Sequence, residues 1–197
     1  MDRRTCQSLR ALEMADLQAD GQQIRQGFFR RLGARLHDAV PDANIVLFGS
    51  AAWGVLMAIS AVASIWTHNG LLIASPLAVI ALYFYGGSLG FAPGLMLARF
   101  LFGRVGRVAR FIGGTLIILL ATHTATAGIF ALQYRVFYSH WHATFPNIIW
   151  FFQFVFTSAG AIYQYSVDSI YYYWPFSLLC FLGFGLWFAL KHRVEPH

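Results

Sequence analysis

Charge is what this sequence has least of. Between Asp42 and Lys191 there is one carboxylate, Asp168, and the only cations are Arg99, Arg104, Arg107, Arg110 and Arg135. Charged residues make up 11% of the 197-residue chain, whereas a soluble globular domain carries about 25% spread along its length. That scarcity excludes an ordinary water-soluble fold. Cysteine is also scarce: Cys6 lies in a polar segment and Cys180 in an apolar one, so no bridge between them is expected. No CxxC, HExxH or phosphate-loop pattern occurs, and the polar segments are too short to build a soluble catalytic domain. No metal, no cofactor and no catalytic activity of the chain's own are therefore expected.

What is present is apolar. Hydrophobic residues are 58% and aromatic residues 17% of the chain, with a mean hydropathy of +0.57. About 20 consecutive apolar residues cross a bilayer core, and four such regions can be read: roughly 44–66, 71–101, 111–133 and 147–190. The expected fold is all-α, a polytopic integral membrane protein with four or five transmembrane helices behind an amphipathic N-terminal helix. The division falls at residues 1–43, polar and amphipathic, and 44–197, transmembrane. The net charge of +6 comes from arginines at the ends of apolar runs, which suits anionic phospholipid rather than nucleic acid.

The first 30 residues lack an apolar core, which excludes a secretory signal, and Asp2, Glu13, Asp16 and Asp20 argue against a transit peptide. From about Gln22 to Val40, Ile24, Phe28, Leu32 and Leu36 recur every fourth position, flanked by Arg25, Arg30, Arg31 and Arg35. Such a stripe fits an interfacial helix on a membrane or a helix docked on a partner protein. Basic residues gather at the N-terminus, at Arg99–Arg110 and at Lys191 and Arg193, and the positive-inside rule places these on one side when the crossings are even in number. The last apolar region is too long for one straight crossing. The run Tyr171, Tyr172, Tyr173, Trp174 in its middle reads as an interface belt and favours five. Four crossings stand slightly ahead.

In the second region Gly86, Gly90 and Gly94 repeat every fourth residue. This is the small-residue ridge that lets helices approach closely, within the bundle or against another subunit. Pro93 is expected to kink or end that helix. In "FGRVGRVARFIGG" the arginines fall on one face if the stretch is helical, so Arg104, Arg107 and Arg110 are expected to hold lipid headgroups, with an anionic lipid bound. An intramembrane arginine is the alternative, since such charge is costly and usually functional.

The stretch "PGLMLARFLFG", Pro93 to Gly103, resembles the arginine-bearing helix of ATP synthase subunit a, with Arg99 as its arginine and Gln164 in "AIYQY" as the glutamine opposite it. The family's asparagine after the arginine is Gly103 here, and Arg110 fits the family's arginine–glutamine separation better but lacks the proline. The resemblance implies a proton path built on Arg99 or Arg110 with Gln164. His123, mid-way along the third region, would pass protons, its pKa lying near neutrality; a neutral structural histidine is the plainer reading. Asp168 would need a cation if buried, or lies at headgroup depth. His140 and His142 read as a wet interfacial loop.

With catalytic groups so sparse, the expected function is an integral subunit of a larger energy-transducing complex of ATP synthase or respiratory type. Its role would be mainly structural, in contact with other membrane subunits and lipid, in a mitochondrial or bacterial inner membrane. A proton-conducting subunit is the alternative, and a stand-alone small transporter is a third, which lacks a visible internal repeat.

Overall fold

The structure, a computed structural model, describes residues 29–30, 33–67, 75–141, 143 and 145–191, and among them every regular element is helical. In the N-terminal unit, which ends at Val40, residues 33–39 are helical. Residues 22–28 and 31–32 of the amphipathic helix read from the sequence lie outside the described residues.

The second unit, from Pro41 onward, contains α1 (Ala43–Thr67), α2 (Pro76–Phe102), α3 (Arg107–Tyr138), α4 (Ile148–Tyr172) and α5 (Leu178–Lys191). A 3-10 turn, Ser139–Trp141, prolongs α3, and a π-helical turn, Tyr173–Ser177, joins α4 to α5. Four elements are long and apolar enough to cross a membrane: Ala43–Thr67, Pro76–Phe102, Arg107–Trp141 and Ile148–Lys191. The last apolar region is two helices, α4 and α5, joined through a bend. The bend is at Trp174 (φ −98°, ψ 132°), the residue before Pro175, where the proline ring disfavours helical backbone.

Local chemistry sets the helix ends. Pro76 opens α2, where a missing N–H costs nothing. The Asn147 side chain accepts from the Ile149 N–H at 3.0 Å and caps α4. Of the two outcomes expected at Pro93, ending the helix does not occur: α2 runs on to Phe102. Proline forfeits a single ladder bond, and the same helix packs against α3 through Gly90 on one side of it and Gly94 on the other. The arginine-rich stretch is not one amphipathic helix either. It breaks at Gly103–Gly106, where Gly106 is extended (φ −61°, ψ 161°) and α3 restarts at Arg107.

The helices alternate in direction. Gly54 lies against Phe84 and Ser88, Gly86 against Thr126, Gly94 against Ile118, Gly114 against Phe188 and Gly185 against Thr115. Along each pair the numbers rise on one helix as they fall on the other, so α1, α2, α3 and the bent α4–α5 element run up, down, up, down. The Arg99–Arg110 turn and Lys191 consequently sit at the same end.

Buried residues recur at helical spacing, for example Trp53, Met57, Ser60, Ala61 and Ser64 on α1. The core centres on Trp53, whose ring lies 5.7 Å from both Phe181 and Phe184 and whose Nε1–H donates to Thr122 Oγ1 at 3.0 Å. Because lipid is as apolar as these side chains, close packing and this hydrogen bond hold the helices together more than apolar burial does. Outward-facing Val55, Ile59 and Val62 are exposed, as expected for a lipid-facing surface.

Beyond the ends of α1 and α2, the far parts of α3 and α4 continue as a two-helix hairpin. Between Ile148 and Gly160 no residue is buried, and none is buried past Ala131 on α3. Within the hairpin the Arg135 guanidinium lies 4.3 Å from the Phe154 ring centroid and 5.2 Å from that of Trp150. Trp150 and Phe154 are stacked at 5.5 Å.

Candidate functional site

At the end of the bundle opposite the Arg99–Arg110 turn, α1, α2, α3 and α4 enclose a cavity of about 370 Å³. Its walls are Ser64 and Ile65 from the last turns of α1, Val79, Leu82 and Tyr83 from the start of α2, and Phe130 from α3. Tyr165, Asp168, Ser169, Tyr171 and Tyr172 on α4 complete it. Positions 165, 168, 169 and 172 are one helical stripe, which is why α4 presents an acid, a serine and two tyrosines to the same space. Asp168 and Tyr171 are exposed at the mouth, whereas Tyr83 is 1% exposed at the back.

The polar groups are unevenly satisfied. The Ser64 hydroxyl donates to the Tyr172 carbonyl at 3.0 Å and the Ser169 hydroxyl to the Ser166 carbonyl at 3.1 Å. Tyr165 and Tyr173 share a hydroxyl–hydroxyl bond of 2.9 Å. The Tyr83 hydroxyl is buried with no hydrogen-bond partner, although its ring packs 5.4 Å from Tyr172 and 5.6 Å from Tyr173. A buried hydroxyl left unpaired costs about 1–3 kcal/mol.

His123 lies behind this tyrosine cluster, its ring centroid 5.2 Å from Tyr165 and 6.0 Å from Tyr173. Its Nε2 is 3.2 Å from Ser166 Oγ, whose proton is given to the Ile162 carbonyl at 2.8 Å. Nε2 is therefore the donor in this contact, and His123 is hydrogen-bonded to the neighbouring helix α4.

The other sequence candidates divide between the two ends. Asp168 is at the cavity mouth, not sealed inside the bundle. Gln164 is exposed one turn earlier on α4. Arg110 is 13 residues before His123 on α3, about 20 Å along the helix, so Gln164 is not brought to either arginine. Arg104 and Arg107 are exposed, but Arg110 is 3% exposed, with Nε and Nη1 enclosed and unbonded. The expectation that Arg110 shares their headgroup face is corrected by its burial against the other helices of the bundle. Arg99 is half-buried with an unbonded Nε. His140 is exposed in the 3-10 turn, and His142 lies outside the described residues. Gly86, Gly90 and Gly94 are all at the α2–α3 seam.

Tyr83 was not singled out by sequence reasoning, nor was the inward turn of Tyr172 and Tyr173, which the belt reading placed at the surface. The available signal was the coincidence of Asp168, the lone membrane acid, with the serines and tyrosines around it. A second concavity of about 600 Å³ between α1 and α5 is apolar, lined by Gly49, Ala52, Leu179, Gly183 and Trp187 among others. Among the described residues no group of three or more His, Cys, Asp or Glu could hold a metal ion. No protein-family model, curated protein or solved structure matches the chain.

Proposed function

We propose that this protein is an integral subunit of a larger membrane complex, its role mainly structural, with an energy-transducing assembly of ATP synthase or respiratory type in a bacterial or mitochondrial inner membrane as the class. The observation that carries this reading is the α3–α4 hairpin. Arg107–Trp141 is 35 residues and Ile148–Lys191 is 44, about 52 and 66 Å of helix, whereas a hydrocarbon core is about 30 Å thick. The overhanging part is apolar on faces that no other helix among the described residues covers: Phe151, Phe152 and Phe156 are 56%, 53% and 72% exposed. Exposed apolar surface that outruns the bilayer needs a protein neighbour or a local distortion of the membrane. The glycine ridge, by contrast, is used inside the bundle, which leaves the hairpin as the docking element.

The test is extraction in mild detergent, then a native gel with mass spectrometry of the co-migrating chains. Co-migration with other membrane subunits, lost in a Phe152→Ala/Phe156→Ala variant that keeps its own thermal stability, is the expected result. Migration alone as a monomer would overturn the reading.

One observation favours a second reading, proton conduction: Arg110 is enclosed in a spanning helix with two unbonded guanidinium nitrogens. Intramembrane charge of this kind is costly and usually functional. Arg110→Gln should then abolish proton flux in reconstituted vesicles while assembly survives; unchanged flux would remove this reading.

A further inference from the structure

We propose that the cavity bounded by Tyr83 and Asp168 is a binding site for a primary ammonium group carried on a small, partly apolar molecule. Three features select that chemistry. The first is charge. Asp168 is the only acid between Asp42 and Lys191, it stands at the cavity mouth, and among the described residues no lysine or arginine lines the space. A carboxylate at the edge of a low-dielectric bundle attracts a cation far more strongly than it would in water.

The second is hydrogen-bonding sense. The Ser64 and Ser169 protons are already given to the Tyr172 and Ser166 carbonyls, and a carboxylate only accepts. The Tyr83 hydroxyl, 1% exposed, makes no short hydrogen bond, with the Tyr165 hydroxyl beside it, and its oxygen is able to accept. A carboxylate and a hydroxyl oxygen that can both accept suit a guest that brings N–H donors. A primary ammonium has three, enough to meet Asp168 and Tyr83 together; a quaternary ammonium has none for Tyr83.

The third is size and surface. A space of about 370 Å³ holds on the order of a dozen water-sized groups, far more than a bare metal cation needs. Ile65, Val79, Leu82 and Phe130 line it beside the tyrosines. These surfaces suit an alkyl or aryl portion, and tyrosine faces add cation–π attraction. The cavity is at the end of α1 and α2, near the membrane surface, so the ammonium could be that of a free amine or of an aminophospholipid headgroup. The recognising chemistry is the same for both.

The experiment uses the full chain in nanodiscs of phosphatidylglycerol, titrated with n-butylammonium, tetramethylammonium, sodium and neutral n-butanol, and read by calorimetry and thermal shift. Saturable binding of n-butylammonium is expected, tighter than that of tetramethylammonium or butanol. It should weaken at least tenfold in Asp168→Asn and several-fold in Tyr83→Phe. Asp168 is exposed, so its isosteric change leaves the fold intact, and Asp168→Glu should retain most of the affinity. Nanodiscs containing phosphatidylethanolamine then identify the source: competition with n-butylammonium marks a lipid headgroup, and unchanged affinity marks a free amine. No binding of n-butylammonium, equal binding to Asp168→Asn, equal binding of butanol, tighter binding of tetramethylammonium, or binding of sodium alone would each overturn the proposal.

Discussion

Replacing Gly90 by alanine perturbs the α2–α3 seam by a single methyl group. A Cβ built there would stand 2.7 Å from Thr122 Cα, 2.9 Å from Thr122 N and 3.0 Å from the Ala121 carbonyl oxygen, whereas ordinary contact begins at 3.4 Å. All three neighbours are backbone atoms of α3, so no side-chain rotation relieves the clash and the helices must part. A separation of roughly 0.7 Å forfeits a quarter to a half of the dispersion energy of the atoms facing the gap. The same movement pulls on the 3.0 Å bond from Trp53 Nε1–H to Thr122 Oγ1. Overpacking of this kind costs about 1–3 kcal/mol, and the gain from removing a helical glycine returns about 0.5–1 kcal/mol. The net loss is about 0–2.5 kcal/mol, a fall in unfolding midpoint of up to roughly 10 °C for a chain of this size. Gly128→Ala is the internal control, since a Cβ at Gly128 meets nothing within 4 Å, and it should be neutral or slightly stabilising. Thermal unfolding followed by near-ultraviolet circular dichroism in mild detergent reads both. If Gly90→Ala melts as high as Gly128→Ala, the close-approach account of the seam is refuted.

Trp53→Phe removes the donor to Thr122 Oγ1 and leaves a void among Phe91, Phe181 and Phe184; a loss of about 2–4 kcal/mol in detergent unfolding is expected. Arg135→Leu deletes the cation above the Trp150 and Phe154 rings, which should loosen the hairpin by about 0.5–2 kcal/mol and shift the Trp150 fluorescence, with the bundle core unchanged. Arg110→Met replaces an unpaired buried charge by an apolar chain of similar length, and should raise the unfolding midpoint by the equivalent of about 1 kcal/mol or more; a lower midpoint would mean that Arg110 has a bonding partner in the folded protein. In a variant freed of Cys6 and Cys180, single cysteines at Arg104 and Lys191 should be labelled from the same side of a sealed vesicle, and labelling from opposite sides would restore an odd number of crossings.

The helical, membrane-embedded class could be read from the chain directly, because a bilayer forbids charge over long stretches and 43–190 obeys that rule with one acid and five arginines. Side preference was legible for the same reason: arginine position relative to apolar runs is a property of the linear chain. The glycine spacing at 86, 90 and 94 marked a close-packed face, since small residues every fourth position share one side of a helix. Whether that face meets the protein's own α3 or a partner depends on which helix is adjacent, and adjacency is not a local property.

The tertiary structure decided the rest. Periodicity alone put Arg104, Arg107 and Arg110 on a common surface, but the break at Gly103–Gly106 separates Arg104 from the helix that carries the other two, and packing of that helix buries Arg110 while Arg107 stays exposed. Tyr83 and Asp168 are 85 positions apart, and only the antiparallel pairing of helices brings them to one cavity. The same sequence read as a belt, Tyr171 to Trp174, became half belt and half core, because successive residues of a helix point about 100° apart and only some of them face the bundle. Burial requirements act on each residue and so leave a mark in the sequence; long-range pairing and the phase of a bent helix act on the assembled chain, and they emerge only when the helices pack.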